Sequence, residues 1–125
     1  MADHSRRLRV LLVDDDQSLL SALERAIAEA GEEVVAYSNF EDARRALQGG
    51  TFDALITDVR LGAFNGLQLA VLARASYPAI RLIVFSGFDD PVLRTEAEHV
   101  DATYLVKPVG SVKLLELLRQ SHQPS

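Results

Sequence analysis

The sequence predicts an α/β fold in which a doubly wound, five-stranded parallel sheet has helices on both faces. Five apolar runs of strand length recur along the 125 residues, and stretches with helical spacing separate them. The longest runs are nearly continuous rather than alternating between apolar and polar residues, which is typical of strands buried on both faces of a parallel sheet. Strict alternation of strand and helix, repeated five times, favours this architecture with right-handed crossovers.

The predicted strands are Leu8–Val13, Val34–Tyr37, Ala54–Thr57, Leu82–Phe85 and Tyr104–Val106. Apolar residues at helical spacing mark three helices: Leu19, Leu20, Leu23, Ile27 and Ala30 before Gly31; Phe40, Ala43, Ala46 and Leu47 before Gly49–Gly50; and Leu67, Leu69, Leu72 and Ala73 before Pro78. Pro91 suits the first turn of a fourth helix, Val92 to about His99. Ser111 is the predicted cap of a fifth helix that runs to about Gln120.

Composition indicates one folded domain. Apolar residues make up 48% of the chain, enough for a core from about residue 8 to about residue 120. Short polar tails, Met1–Arg6 and Ser121–Ser125, complete a predicted single domain over residues 1–125. The absence of cysteine excludes disulfides, thiol catalysis and Cys-based zinc sites.

The net charge and the hydropathy pattern bear on whether the protein binds nucleic acid or a membrane. The net charge is −5, from 18 acidic and 13 basic residues, and no basic stripe is evident, so direct contact with nucleic acid is not expected. The apolar run after the N-terminal arginines ends at three aspartates, which is too short for a signal peptide or a membrane span. A cytoplasmic protein without a membrane segment is therefore predicted.

Polar residues follow four of the five predicted strands. The first strand ends in Asp14–Asp16, the third in Asp58, the fourth in Ser86–Gly87 and the fifth in Lys107–Pro108. In a parallel sheet these positions lie on one edge, where ligands of such folds bind. If the strand order is 2-1-3-4-5, the first and third strands are neighbours, and Asp14, Asp15 and Asp58 converge on one pocket.

Three carboxylates this close repel one another unless a cation joins them. Oxygen ligands without histidine or cysteine select a hard ion, and a few carboxylates with room for water suit Mg²⁺. Lys107 supplies a further positive charge and Ser86 a hydroxyl donor, and the backbone N–H groups of Val59 and Gly87 are further candidate donors. Because a carboxylate can accept a phosphoryl group, the pattern indicates metal-assisted phosphoryl transfer.

From Val10 to about Arg119, the sequence resembles the receiver domain of two-component response regulators (CheY-like). The matching pieces are VLLVDDD, LITDVRLGAFNGLQL, LIVFSG and YLVKP, in order and at about the family's spacing. The resemblance implies a flavodoxin-like sheet with strand order 2-1-3-4-5. It also implies an Mg²⁺-dependent signalling domain that a sensor histidine kinase or phosphotransfer protein phosphorylates. Beyond its own phosphorylation and slow dephosphorylation, such a domain is not expected to be an enzyme.

Carried over position by position, the resemblance implies a role for each matched residue. Asp58 is the implied phosphoacceptor, Ser86 the switch hydroxyl, Lys107 the lysine typical of the family and Tyr104 the switch aromatic. The resemblance also implies that Asp15, Asp58 and the backbone carbonyl of Arg60 would hold Mg²⁺, with Asp14 acting through water. The sequence departs from the family pattern at Gly62, where proline is common, and in the EHVDAT segment that precedes the fifth strand.

Two other classes of protein share parts of this pattern. A haloacid-dehalogenase-type phosphatase would use Asp14 as nucleophile and Asp16 as general acid, but it needs an acidic motif after Lys107 that the sequence lacks. A flavin binder would need a phosphate loop where the three aspartates stand. For Asp16 itself, capping of the first helix is favoured.

The output surface is predicted on the fourth helix, fifth strand and fifth helix. Apolar residues of the last helix spread over roughly 220°, more than the ~100° stripe needed to cover a core. Val112 and Leu117 lie at opposite edges of that arc, so at least one should face outward. Self-association on phosphorylation is predicted through this surface, which Tyr104 and Val106 adjoin.

Overall fold

The computed structural model describes residues 7–120, so the predicted polar tails lie outside the described residues. Its main sheet consists of β1 (Arg9–Val13), β2 (Glu33–Tyr37), β3 (Ala54–Asp58), β4 (Arg81–Ser86) and β5 (Thr103–Val106). All neighbouring strands pair in parallel, in the order β2-β1-β3-β4-β5. The predicted fold class and strand order are confirmed.

Five helices connect and flank the strands: α1 (Gln17–Glu29), α2 (Phe40–Gly49), α3 (Leu67–Ser76), α4 (Pro91–His99) and α5 (Ser111–Arg119). Side chains of Asp16, Asn39 and Asp90 cap the first turns of α1, α2 and α4 by accepting backbone N–H groups. The predicted capping role of Ser111 is wrong. Gly110 occupies the cap with an extended backbone, and Ser111 is already the first helical residue.

The core has two layers, one on each face of the sheet. Leu11 and Val13 of β1 face the layer formed with α2, α3 and α4, whereas Val10 and Leu12 face the layer formed with α1 and α5. Side chains alternate between the two faces of a strand, so an uninterrupted apolar strand fills both layers. Helices on both faces thus account for the continuous apolar runs.

One core assignment is wrong. Leu72 was expected on the buried face of α3, yet it is 42% exposed, while Leu67, Leu69, Ala70 and Ala73 are buried. Two residues at about 100° each place Leu72 roughly 160° around the helix from Ala70. The helix is apolar on most sides, so spacing alone did not identify the face that packs.

A short hairpin that the sequence did not predict follows the third strand. Arg60–Leu61 pairs antiparallel with Phe64–Asn65, and Gly62 at its tip has φ of +63°. Phe64 stacks on Phe40 at the start of α2, with ring centroids 4.8 Å apart. The hairpin therefore lies against both α2 and the carboxyl end of β3.

The turn before β5, which departs from the family pattern, is tied to α3 by one side chain. Arg74 donates hydrogen bonds to the carbonyl oxygens of Val100 (2.9 Å), Asp101 (3.1 Å), Pro78 (2.8 Å) and Ile80 (2.8 Å). Asp101 has a positive φ of 59°. The guanidinium group thus satisfies carbonyls in the segment after α3 and in the turn after α4, and it orders that irregular turn.

Candidate functional site

The predicted site residues meet at the carboxyl edge of the sheet. Asp14 follows β1, Asp58 and Ser86 end β3 and β4, and Lys107 follows β5. Asp14 is fully buried, and Asp58 and Ser86 are nearly so. The parallel register places the ends of neighbouring strands side by side and so brings these distant residues together.

Lys107 joins two of the carboxylates. Its ammonium nitrogen lies 3.1 Å from Asp14 Oδ2 and 3.5 Å from Asp58 Oδ2. The other oxygen of Asp14 accepts the backbone N–H of Asp16 at 2.9 Å. Both oxygens of Asp14 are therefore engaged within the protein, and the carboxylate of Asp58 is held beside a cation.

Three carboxylates form a group with the chemistry of a hard-metal site. One oxygen each from Asp14, Asp15 and Asp58 can lie within 4.8 Å of the others. Asp15 is exposed and accepts the backbone N–H of Gly62 at 3.3 Å. An all-oxygen set with an accessible member fits Mg²⁺, which keeps several water ligands. The donor set therefore fits the ion that the sequence predicted.

The environment of Asp58 opposes its ionisation. Burial, and next the negative charge of Asp14, raise the pKa of Asp58 above its ordinary value, while Lys107 and the backbone N–H of Arg60 partly offset the rise. Burial acts to lower the pKa of Lys107, but the hydrogen bond and charge of Asp14, with those of Asp58, raise it overall. Lys107 therefore stays protonated, and it only partly compensates the negative charge of the Asp58 carboxylate.

One of the candidate donors is already engaged by the backbone of the sheet. Ser86 Oγ lies at the sheet edge and accepts the backbone N–H of Phe88 at 3.4 Å, and Gly87 lines the cavity at the mouth of the site. Val59 does not fit the expectation, because its N–H donates to the carbonyl of Phe85 at 2.9 Å. The Val59 N–H is therefore used in the pairing of β3 with β4.

Tyr104 occupies an inward position. It is 7% exposed, and its hydroxyl donates to the carbonyl oxygen of Phe88 at 3.0 Å. The guanidinium of Arg94 covers its ring, and Arg94 also pairs with Asp89. Sequence reasoning missed Arg94 and Asp89, since they lie on opposite sides of the start of α4, outside the i to i+4 spacing of helical pairs.

Gly66 is a further residue that the sequence did not mark. A Cβ atom there would lie 1.9 Å from the carbonyl oxygen of Asp58. Its N–H donates to the carbonyl of Val59 at 2.6 Å. Only glycine permits this approach of the hairpin to the backbone of Asp58.

Two cavities lie at opposite edges of the sheet. A cavity of about 460 Å³ opens over the carboxylates, with Asp15, Asp58, Arg60, Phe88 and Lys107 in its walls. A larger one, about 980 Å³, lies at the amino ends of the strands. Its arginines Arg7, Arg81 and Arg119 donate to backbone carbonyls. The smaller cavity, which holds the carboxylates and the lysine, is therefore the candidate site despite its size.

Within residues 7–120, no helix is long and apolar enough to cross a membrane.

Known proteins show the same combination of fold and sequence. Residues 10–119 match the family model of the response regulator receiver domain. Response regulator protein FleR of Pseudomonas aeruginosa is 34% identical over 111 residues, which cover 88% of this chain and 24% of FleR. Transcriptional regulatory protein PrrA of Mycobacterium bovis is 35% identical over 110 residues, which cover 86% of this chain and 46% of PrrA. The chain thus spans about a quarter to a half of the length of these relatives.

Solved structures agree. Chemotaxis protein CheY4 of Vibrio cholerae superposes with a TM-score of 0.81 at 28% identity, over 90% of this chain and 97% of CheY4. A response regulator receiver protein from Sinorhizobium medicae gives a TM-score of 0.81 at 28% identity, over 94% of this chain and 98% of that protein. With the family match over most of its length, the chain belongs to the receiver-domain family of two-component response regulators.

Proposed function

We propose that Asp58 accepts a phosphoryl group from a sensor histidine kinase or phosphotransfer protein in an Mg²⁺-dependent reaction. The observation that supports this most directly is the position of Asp58. Its carboxylate ends β3 at the ligand-binding edge of the sheet, 3.5 Å from Lys107 and grouped with two further carboxylates. No other part of residues 7–120 combines a metal-type carboxylate group with an adjoining lysine.

The reaction transfers phosphorus from nitrogen to oxygen. A carboxylate oxygen of Asp58 attacks the phosphorus of the phosphohistidine, the P–N bond breaks, and the leaving imidazole nitrogen keeps the bonding electron pair and takes a proton from solvent. Lys107 would pair with the phosphoryl oxygens through its ammonium group, and Ser86 would donate its hydroxyl proton to one of them. The product is an aspartyl phosphate, a mixed anhydride that water later hydrolyses.

Asp15, Asp58 and the backbone carbonyl of Arg60 would hold the Mg²⁺, with Asp14 acting through water. When bound, the ion supplies positive charge that reduces repulsion between the carboxylates and the incoming phosphoryl oxygens. The engagement of both Asp14 oxygens supports its indirect role. The accessible Asp15 carboxylate supports a direct one.

The phosphorylated domain is proposed to self-associate through α4, β5 and α5. Three exposed valines, Val92, Val106 and Val112, lie on these elements. Of the two edge residues considered in α5, Val112 is 70% exposed and Leu117 is 9% exposed. Leu117 packs in the layer beside α1, so Val112 is the surface residue that tests this face.

We further propose that residues 1–125 form one receiver domain that acts in the cytoplasm, where a kinase can reach it. The domain itself would not contact nucleic acid, given its net charge of −5. PrrA is named as a transcriptional regulatory protein. Any such activity of a longer protein would reside outside these residues.

The alternative function is that of a phosphatase in which Asp14 is the nucleophile and Asp16 the general acid. Asp16 Oδ1 accepts the backbone N–H of Leu19 at 3.2 Å and so caps α1. That role accounts for Asp16 without catalysis. The proposed domain turns over no substrate other than its own phosphoryl group.

Intact-mass measurement after treatment with acetyl phosphate tests the proposal. Wild type should gain one phosphoryl group with Mg²⁺ and none with a chelator, and Asp58→Asn should gain none. Asp16→Asn keeps a capping side chain and should behave as wild type. A mass gain that persists in Asp58→Asn, or turnover of a generic phosphoester that Asp16→Asn abolishes, would favour the phosphatase.

A further inference from the structure

Arg94 pairs with Asp89 and lies over the ring of Tyr104. The Nη2 and Nε atoms of Arg94 lie 2.9 and 3.1 Å from Asp89 Oδ1. The guanidinium carbon lies 4.7 Å from the centroid of the Tyr104 ring. A cation within ~6 Å of an aromatic face is attracted to it. Asp89 therefore holds the cation in place, and the cation covers the ring.

These contacts continue to the wall of the phosphoryl site. The Tyr104 hydroxyl donates to the carbonyl of Phe88 at 3.0 Å, and Gly87 and Phe88 line the cavity above Asp58. The loop between β4 and α4 thus has Ser86 at one end and the Asp89–Arg94 pair at the other. Phe88 lies between these two ends and contacts both Tyr104 and the cavity.

Few apolar contacts fix the start of α4. Ala97 is the residue that α4 buries fully, and Leu93 in the first turn is partly buried against the core, whereas Val92 in the same turn is exposed. Polar contacts therefore add to the positioning of this end of the helix. The Asp89–Arg94 pair and the Asp90 cap supply them at this end.

The loop conformation held in this way suits a phosphoryl group. Ser86 Oγ accepts the N–H of Phe88 at 3.4 Å, which leaves its own hydroxyl proton to donate elsewhere. Asp58 ends the strand beside the one that ends in Ser86. A site arranged before its ligand arrives binds it more tightly than one that must first rearrange.

We infer that Asp89 and Arg94 are positioning residues that hold Tyr104 and the β4–α4 loop in the arrangement that receives the phosphoryl group. The inference rests on the proposed function of Asp58. The ion pair and the cation–aromatic contact would keep the loop in its phosphoryl-binding arrangement while the domain is still unphosphorylated.

Binding of Mg²⁺–beryllofluoride, a mimic of the aspartyl phosphate, tests this by calorimetry on the full chain. Arg94→Gln and Asp89→Asn should each weaken apparent affinity about threefold, as expected for the loss of a partly exposed ion-pair or cation–aromatic contact. The double variant should be no weaker than either single variant, because the two residues act as a unit. Arg94→Lys keeps the charge and should restore part of the affinity.

Glu29→Gln is the matched control, since it removes one carboxylate of the exposed Arg25–Glu29 pair in α1. Its affinity should equal that of wild type. A second readout is the ¹³C signal of the Tyr104 ring, assigned with Tyr104→Phe. In the metal-free protein it should shift in Arg94→Gln and Asp89→Asn and stay in place in Glu29→Gln.

Variants that bind beryllofluoride as tightly as wild type, or more tightly, overturn the inference alone. A wild type that binds none overturns the proposed function and this inference with it. An unshifted Tyr104 signal in both variants also overturns the inference, because the pair would then not position the ring.

Discussion

Lys107 lies closer to Asp14 than to Asp58: its ammonium nitrogen is 3.1 Å from Asp14 Oδ2 and 3.5 Å from Asp58 Oδ2. In the unphosphorylated domain its nearer partner is therefore the fully buried carboxylate rather than the proposed acceptor. A phosphoryl group on Asp58 would offer new oxygens to the same ammonium. The contact that Lys107 makes then differs between the two states, as a switch requires.

Lys107→Ala should still accept some phosphoryl group but respond less to it. Loss of the ammonium leaves Asp14 without its cation and should lower the free energy of unfolding by about 1–3 kcal/mol. Amide exchange across residues 86–107, before and after phosphorylation, measures the response. Lys113→Ala, on the exposed side of α5, is the control. A Lys107→Ala protein whose exchange changes as fully as that of wild type would remove Lys107 from the switch.

Mg²⁺ should stabilise the unphosphorylated fold through Asp15. The ion binds only the folded carboxylate group, so the thermal unfolding midpoint should rise as the Mg²⁺ concentration rises. At a Mg²⁺ concentration a hundredfold above Kd, the free energy of unfolding should increase by about 2.7 kcal/mol. The midpoint of Asp15→Ala should move little. Thermal melts with titrated Mg²⁺ measure both. Equal rises in the two proteins would place the ion elsewhere.

Asp58→Asn should stabilise the metal-free domain at neutral pH. Burial and the charge of Asp14 raise the pKa of Asp58 in the folded state above its ordinary value. Ionised Asp58 then costs stability above the folded pKa, and this cost disappears as the pH falls toward the unfolded value. Melts with a chelator at neutral pH and near pH 4 should show the advantage of the variant shrinking on acidification. An advantage that is constant with pH would mean that charge is not its cause.

Val112→Glu should prevent self-association of the beryllofluoride form without unfolding the monomer. Val112 is 70% exposed, so the substitution leaves the core intact. Val71→Glu is a matched control, since Val71 is 53% exposed and lies on α3, which is not one of the three elements of the proposed face. Sedimentation with Mg²⁺–beryllofluoride should show wild type and Val71→Glu associating and Val112→Glu remaining monomeric. Association of Val112→Glu as strong as that of wild type would exclude this face.

The sequence predicted the sheet and the central residues of the site because both depend on local patterns. Continuous apolar runs identify buried strands, and strand order places Asp14, Asp58 and Lys107 on one edge without reference to side-chain detail. Strand patterns and strand order could not predict the contact between the Arg94 guanidinium and the Tyr104 ring. That contact depends on how far a long side chain on α4 reaches across to a neighbouring strand.

The errors have a similar origin. Leu72 was placed on the wrong side of α3 because a helix that is apolar on most faces gives spacing no preferred direction. The hairpin at Arg60–Asn65 is formed by two-residue strands, below the length at which alternation can be recognised. The use of the Val59 N–H by the ladder follows from strand pairing and not from any property of valine.

The four hydrogen bonds of Arg74 bear on how segments of this domain can be exchanged with those of its relatives. The turn at Val100 and Asp101 is ordered by a side chain some 26 and 27 residues earlier in the chain. A chimera that imports only α4 and β5 would import a turn without its anchor, or retain an anchor without its turn. A segment exchanged between receivers should therefore extend from α3 to β5, so that it begins before Arg74 and includes this anchor.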